Sequence, residues 1–386
     1  MEIADRFDFL AHYADQKGSM VWTLSGLIES ETPTADKAAI DELGDWLSIW
    51  AKGLDASSVT IHEQKSVGNF VECRWNQDLP GKPILICCHM DTVHPKGSVE
   101  KRPTRTEGDI LYGVGAYDMK GGITLVQTVL QDLFYQKGLL ERPITVLFTS
   151  DEEIGSLYSR EVIERLALES GLVLVMEPAT DPETIVTERK GVGIFQMVAL
   201  GRESHSGSNP EEGVNAIVEM ASQIGRITAL SDLKLGTTVN PTVIHGGTTH
   251  NVIPGECDIT INARVRYKTE VDRVTKALSE LSRHPTLPNA LLFTTGGFIR
   301  PPMEHTSISE ETFATLQKIS PIPLKEIAKG GGSDGNFTAA LGVPTIDGLG
   351  PSGGGAHSDD EHVYIPSLPQ RAALLASILC YWPDMR

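Results

Sequence analysis

Three short, continuously apolar runs stand out in the first half of the chain: "PILICCH" (83–89), "ITVLFTS" (144–150) and "LVLVME" (172–177). Between and before them lie segments with helical spacing. Residues 36–51 place Ile40, Leu43, Leu47 and Trp50 on one face, and a later segment does the same with Ile123, Val126, Val129, Leu130 and Leu133. Strands that are apolar on both faces and alternate with helices predict a largely parallel sheet covered on both sides. Each run also ends in a residue able to bind metal: His89, then Glu152 and Glu153, then Glu177. In an open α/β sheet the ligand site lies beyond the carboxyl ends of the strands, so three strand ends deliver N and O donors to one edge.

The pattern changes over 192–300. A strand-like "VGIFQMVALG" is followed by a helix expected after Pro210, with Val214, Ile217, Met220, Ala221 and Ile224 in register. Then come "TTVNPTVIHGG", "CDITINARVRY" and a helix across 270–283. This α+β stretch reads as a second domain inserted into the first, giving a catalytic domain of 1–191 plus 301–386 and an insert of 192–300.

A chain of 386 residues suits two domains. No apolar run approaches the roughly 20 residues of a spanning helix. The N-terminal "MEIADRFDFLAHYADQKGSM" is acidic and broken by polar residues, unlike a signal peptide. The formal charge of −18 argues against nucleic acid or an anionic membrane as partner. Five cysteines, an odd count with no C-x-x-C spacing, read as buried thiols in a reducing, cytoplasmic compartment.

The candidate chemistry centres on "ITVLFTSDEEIGS", where Asp151, Glu152 and Glu153 crowd the end of an apolar strand. Alone, three acids in a row read as a solvated loop. With donors at two other strand ends, they read as a metal ligand, a general base and a neighbouring support. In an extended segment Glu153 would face metal and Glu152 the substrate, because successive side chains point to opposite sides. In "HMDTVH", Asp91 is placed to accept the second ring N–H of His89 and fix its tautomer, with His94 as a competing ligand further into the loop. Asp118, in "GVGAYDMKGG", suits a bridging carboxylate presented by a tight turn; the glycines lack phosphate-loop spacing. In "GGGAHSDDEHV", either His357 or His362 is available behind glycines that let the backbone approach a site closely.

Taken in order, "HMDTV", "GAYDMKGG", "TSDEEIGS", "MEP", "HSGSNPEEGVNAI", "GGTTHNVIPG", "GGGSDGNF" and "GAHSDDE" resemble the dinuclear-zinc exopeptidase and deacylase family. That family includes carboxypeptidase G, acetylornithine deacetylase, succinyl-diaminopimelate desuccinylase and aminoacylase, and the pattern is closest to the glutamate carboxypeptidase. The resemblance covers nearly the whole chain. It implies a zinc-exopeptidase-like α/β catalytic domain, with a largely parallel mixed sheet between helices, and an inserted α+β lid that forms a homodimer. It implies two zinc ions per subunit, with cobalt or manganese as alternatives. His89 and Glu177 would hold one and Glu153 and His357 the other, with Asp118 bridging, Glu152 as base and Asp91 orienting His89. In the lid, His205 would reach the active site of the partner subunit, and Asn251 and Arg264 would hold the polar end and carboxylate of the substrate. Arg300 is a second carboxylate candidate.

Two positions depart from the family pattern. Asn262 stands where many relatives have an aspartate two residues before the lid arginine. Thr184 falls roughly where the glutamate carboxypeptidase has a substrate-pocket lysine; Arg189 and Lys190, nearby, are common to other relatives.

The expected activity is hydrolysis of an amide bond next to a free carboxylate, releasing a C-terminal amino acid from a small peptide. The alternative within the family is deacylation of N-acyl amino acids. An alternative of another class is a non-catalytic metal-binding scaffold, which would have little reason to keep Glu152 or His205.

Overall fold

The computed structural model describes residues 7–136 and 139–383; the expected catalytic segments also include 1–6, 137–138 and 384–386, which lie outside the described residues. Among the described residues the chain divides into two compact units. One lies within Met1–Thr187, His305–Ala328 and Ser333–Arg386, the other within Glu188–Glu304 and Lys329–Gly332. The second unit thus includes Lys329–Gly332, from a stretch the sequence pattern assigned to the catalytic domain.

The first unit is built on a six-stranded sheet in the order Ser58–His62, Phe70–Trp75, Ile144–Thr149, Ile84–His89, Leu172–Val175, Thr345–Ile346. Strands Ile84–His89 and Ile144–Thr149 are buried along their whole length, as is Leu172–Val175. They run parallel to one another, while the two strands at the Ser58 edge run antiparallel. Alternate residues feed two cores. Ile84, Ile86, Val146, Phe148 and Leu174 pack with Ile123, Val126 and Leu375 on one face, whereas Leu85, Cys87, Leu147 and Val173 pack with Ile163, Leu166 and Phe337 on the other. This two-sided burial is why these runs carry no polar alternation. The helix Lys37–Gly53 begins at Asp36, whose side chain accepts the Ala39 N–H, and it buries Ile40, Leu43 and Leu47. All five cysteines are unpaired, and among the described residues no helix is long and apolar enough to cross a membrane.

The second unit is an antiparallel four-stranded sheet in the order Thr238–Gly246, Glu256–Val265, Gly191–Leu200, Leu291–Arg300. Its core joins Phe195, Met197, Ile259 and Ile261 to Met220, Ile227, Val274 and Leu278 of the helices Ala216–Thr228 and Lys268–Ser282. The helix expected after Pro210, with Val214 in register, begins only at Ala216. Val214 is held in backbone pairing with Arg202, and Asn215 caps the helix by accepting the N–H groups of Ile217 and Val218.

Candidate metal centre

Strand register brings the donors together. His89 is the last residue of its strand and lies level with Thr149, while Cys87 pairs with Val175. Glu152 and Glu153 therefore follow one neighbouring strand, and Glu177 the other, at the same sheet edge. Asp118 enters from an irregular turn over Ala116–Lys120 that precedes the helix Gly121–Tyr135. The second glycine of "KGG" is required by packing, since a Cβ on Gly122 would stand 2.3 Å from the Met176 carbonyl oxygen, next to Glu177.

Six side chains converge. His89 Nε2 lies 3.1 Å from Asp118 Oδ1 and 3.6 Å from Glu177 Oε1. His357 Nε2 lies 3.1 Å from Glu153 Oε2 and 3.4 Å from Asp118 Oδ2. The two oxygens of Asp118 thus face two different imidazoles. Ligand atoms of His89, Glu152 and Glu177 lie within 4.8 Å of one another, as do those of His89, Asp118 and Glu153. His362, the competing histidine, turns elsewhere: its Nδ1 meets the Asp360 carbonyl and its ring packs beside Tyr112 and Tyr364. His94 pairs with Glu361 at 2.6 Å.

Two expectations about this region need correction. The segment after Asp151 is not extended: Glu152–Ile154 forms a single tight helical turn, closed by Gly155 at φ +99° with its N–H on the Glu152 carbonyl. Turn geometry, not strand alternation, separates the side chains of Glu152 and Glu153. Asp151 supports the next helix instead of the site, accepting the N–H groups of Tyr158 and Ser159. Asp91 acts on both partners: its backbone carbonyl accepts from His89 Nδ1 at 2.9 Å, and its carboxylate is 3.4 Å from the same nitrogen. That carboxylate also accepts the backbone N–H groups of Glu152 and Glu153, each at 3.3 Å, and the Thr34 hydroxyl at 2.8 Å.

The electrostatics are set by burial and by the imidazole–carboxylate contacts. Burial raises the Glu153 pKa, partly offset by His357. For Asp118 burial works the same way, but hydrogen bonds from His357 and His89 outweigh it and hold the carboxyl well below its ordinary value. Contacts with Asp118 and then Glu153 push His357 up to about 10. His89 is pushed up as well: burial opposes its charge, and Asp118 and Asp91 overcome that. Glu153 Oε1 is buried without a hydrogen-bond donor, which is costly unless a cation occupies its lone pairs. Two imidazoles with several carboxylates suit zinc, cobalt or manganese, so the residues present fit a pair of divalent ions.

The lid candidates are placed as follows. His205 pairs with Val252 in a short ladder, and the Ser206 N–H bonds to the Asn251 carbonyl, which brings His205 and Asn251 side by side. His205 Nδ1 accepts the N–H groups of Gly207 and Ser208, leaving Nε2 as the protonated donor. Arg264 and Arg300 both pair with Val192, one from either side. Arg264 donates to Asn262 at 3.1 Å, and its pKa is lowered by burial and by the neighbouring Arg300 charge. Thr184 is occupied in closing a turn on Asp181, and Arg189 donates to the Gly331 carbonyl.

Sequence reasoning missed Glu361. It reads as the last acid of an exposed run, Asp359-Asp360-Glu361, yet it is buried and its carboxylate accepts the backbone N–H groups of Gly115, Tyr117 and Asp118.

Comparison with known proteins gives a consistent picture. The sequence pattern described as Peptidase family M20/M25/M40 matches residues 85–381. Carboxypeptidase G2 of Pseudomonas sp. (strain RS-16) is 33% identical over 380 residues, covering 95% of this chain and 89% of that protein. The succinyl-diaminopimelate desuccinylase of Delftia acidovorans (strain DSM 14801 / SPH-1) is 26% identical, over 74% of this chain and 78% of that one. The crystal structure of aminopeptidase PepT from Bacillus cereus superposes with a TM-score of 0.76 at 20% identity, covering 94% of this chain and 98% of that one.

Proposed function

The chain belongs to peptidase family M20/M25/M40, as a metal-dependent hydrolase acting on amino-acid or peptide substrates, and from that premise we propose that it cleaves an amide bond beside a free carboxylate, releasing a C-terminal amino acid. The observation that carries the reading is Asp118, whose two oxygens face His89 and His357. His89 and Glu177 would hold one ion, Glu153 and His357 the other, and Asp118 both. When bound, the ions supply Lewis acidity to the substrate carbonyl and acidify the attacking water.

Glu152 takes the proton of the attacking water and returns it to the leaving amine. Its place is set by the Asp91 carboxylate, which holds the backbone of both glutamates. We assign His205 of the partner subunit to the developing oxyanion, a role supported by its fixed Nε2–H donor. Asn251 would hold the polar end of the substrate. Arg264, whose pKa is lowered by burial and then by the Arg300 charge, would clamp its carboxylate together with Arg300. The enzyme in this reading is a homodimer through its lid unit, and five unpaired cysteines support a reducing, cytoplasmic setting.

The second reading is deacylation of N-acyl amino acids. Similarity to desuccinylases favours it; Thr184, roughly where the glutamate carboxypeptidase has a pocket lysine, bears only on the preference for glutamate. A non-catalytic scaffold is disfavoured by the presence of both Glu152 and His205. The test is release of free amino acid from a panel of dipeptides and N-acyl amino acids, with zinc, cobalt and manganese compared. Cleavage of C-terminal peptides above acyl substrates supports the carboxypeptidase, the reverse order supports the deacylase, and no release from any member refutes both.

A further inference from the structure

Four donors converge on one buried carboxylate beside the metal centre. Glu361 Oε2 accepts the Gly115 N–H at 2.9 Å and faces His94 Nε2 at 2.6 Å, while Oε1 accepts from Tyr117 at 3.0 Å and Asp118 at 2.9 Å. The three backbone donors belong to the turn that presents Asp118. His94 is itself buried, and its other nitrogen, Nδ1, lies 3.4 Å from Arg102 Nη2. An imidazole that accepts from a guanidinium at Nδ1 carries its proton on Nε2 and donates to Glu361.

Glu361 is fixed from its own side too. It immediately precedes the strand His362–Tyr364, which pairs with both Ile110–Tyr112 and Gly353–Gly354. Its backbone carbonyl accepts the Gly113 N–H at 3.1 Å. One residue therefore ties the segment carrying His357 to the turn carrying Asp118. Each of its two oxygens is met by two donors.

We infer that Glu361 is a positioning residue for the metal pair: with His94 behind it, it sets the Asp118 turn so that the aspartate can serve both ions. The inference rests on the reading that Asp118 lies between two ions. Partners that orient a ligand, without touching metal, are worth about 10- to 100-fold in metal affinity. Lys120, also buried, closes the same turn from within: its N–H donates to the Gly115 carbonyl at 3.0 Å and its side chain to the Ser30 carbonyl at 2.7 Å.

The test is stepwise zinc affinity by competition with a chromogenic chelator, on chelator-stripped wild type, Glu361→Gln, His94→Leu and Asp118→Asn, each well below its own Tm. Glutamine offers an amide N–H₂ where two donors already point, so Glu361→Gln should lose affinity by about 10- to 100-fold. His94→Leu should move in the same direction, by about 10-fold or less. A Glu361→Gln protein that melts earlier but binds both ions as tightly as wild type overturns the inference and leaves the residue a purely structural one. If Glu361→Gln does not fold, His94→Leu decides on the same criterion, and unchanged affinity overturns the inference. Asp118→Asn keeping both ions at wild-type affinity would instead refute the dinuclear reading itself, whatever Glu361 does.

Discussion

His89 and Asp118 meet at 3.1 Å, imidazole Nε2 to carboxylate Oδ1, one from the end of a buried strand and the other from a turn ahead of a helix. Without a cation the contact is an imidazolium–carboxylate pair, repeated by His357 with Asp118 and Glu153. Metal must displace those protons before it can bind the nitrogens.

A pH dependence follows. In chelator-stripped protein His357 is pushed up to about 10 from an ordinary 6.5, and His89 is raised as well. A histidine whose folded pKa is raised stabilises the fold fully below its unfolded value, and that contribution is lost as pH rises through the folded value. The stripped protein should therefore lose thermal stability between pH 6.5 and about 10, and the zinc-loaded protein should not lose it in that window. Calorimetry of zinc binding at pH 7 in buffers of different ionisation heat should show release of about two protons per chain. No proton release would mean that metal does not take the place of the imidazole protons, and so that the histidines are not ligands.

Glu152 and Glu153 should separate cleanly. Glu152→Gln keeps size and removes the proton acceptor, so kcat should fall by about 10²- to 10⁴-fold with metal content unchanged. Glu153→Ala should lose metal, because its buried Oε1 has no other partner. Elemental analysis of both variants beside their turnover checks this; equal metal loss would mean the two roles are misassigned.

Strand ends were the most legible part of the chain. Runs such as "PILICCH" are apolar at every position because both faces of the sheet are covered, so the hydrophobic pattern alone places His89 and Glu177 at one edge. What stayed hidden depends on long-range pairing. Glu361 looks like loop acid until Gly115, Tyr117 and Asp118 turn their N–H groups on it from more than 240 residues away. The nearness of Arg264 and Arg300 appears only once both are registered on Val192. The turn at Glu152 reads as extended in the sequence because what shapes it lies outside the apolar pattern: Gly155 in a left-handed conformation, and the Asp91 carboxylate on the Glu152 and Glu153 N–H groups.

Arg264→Ala should lower kcat/KM by roughly 10- to 100-fold for substrates with a free carboxylate, mainly through KM, since a charge-assisted contact is lost. Amidating that carboxylate should do similar harm to wild type and add little to the variant. Fully additive effects would assign the carboxylate to another group, with Arg300 next to be replaced.

Assembly makes its own demand. If His205 serves the partner's site, inactive His205→Ala protein re-dimerised with inactive Glu152→Gln protein owns one intact site in two. Such heterodimers should regain about half the activity of a wild-type dimer, by symmetry. Heterodimers that form, as shown by mass, and stay inactive would exclude action across the dimer.

The most direct test of the dinuclear account is anomalous diffraction at the zinc edge from crystals of zinc-loaded protein. The account predicts two peaks on opposite sides of Asp118, one against His89 and Glu177 and one against Glu153 and His357, with Glu152 bound to neither. A single peak, or an ion held by Glu152 together with His89 and Glu177, would contradict it.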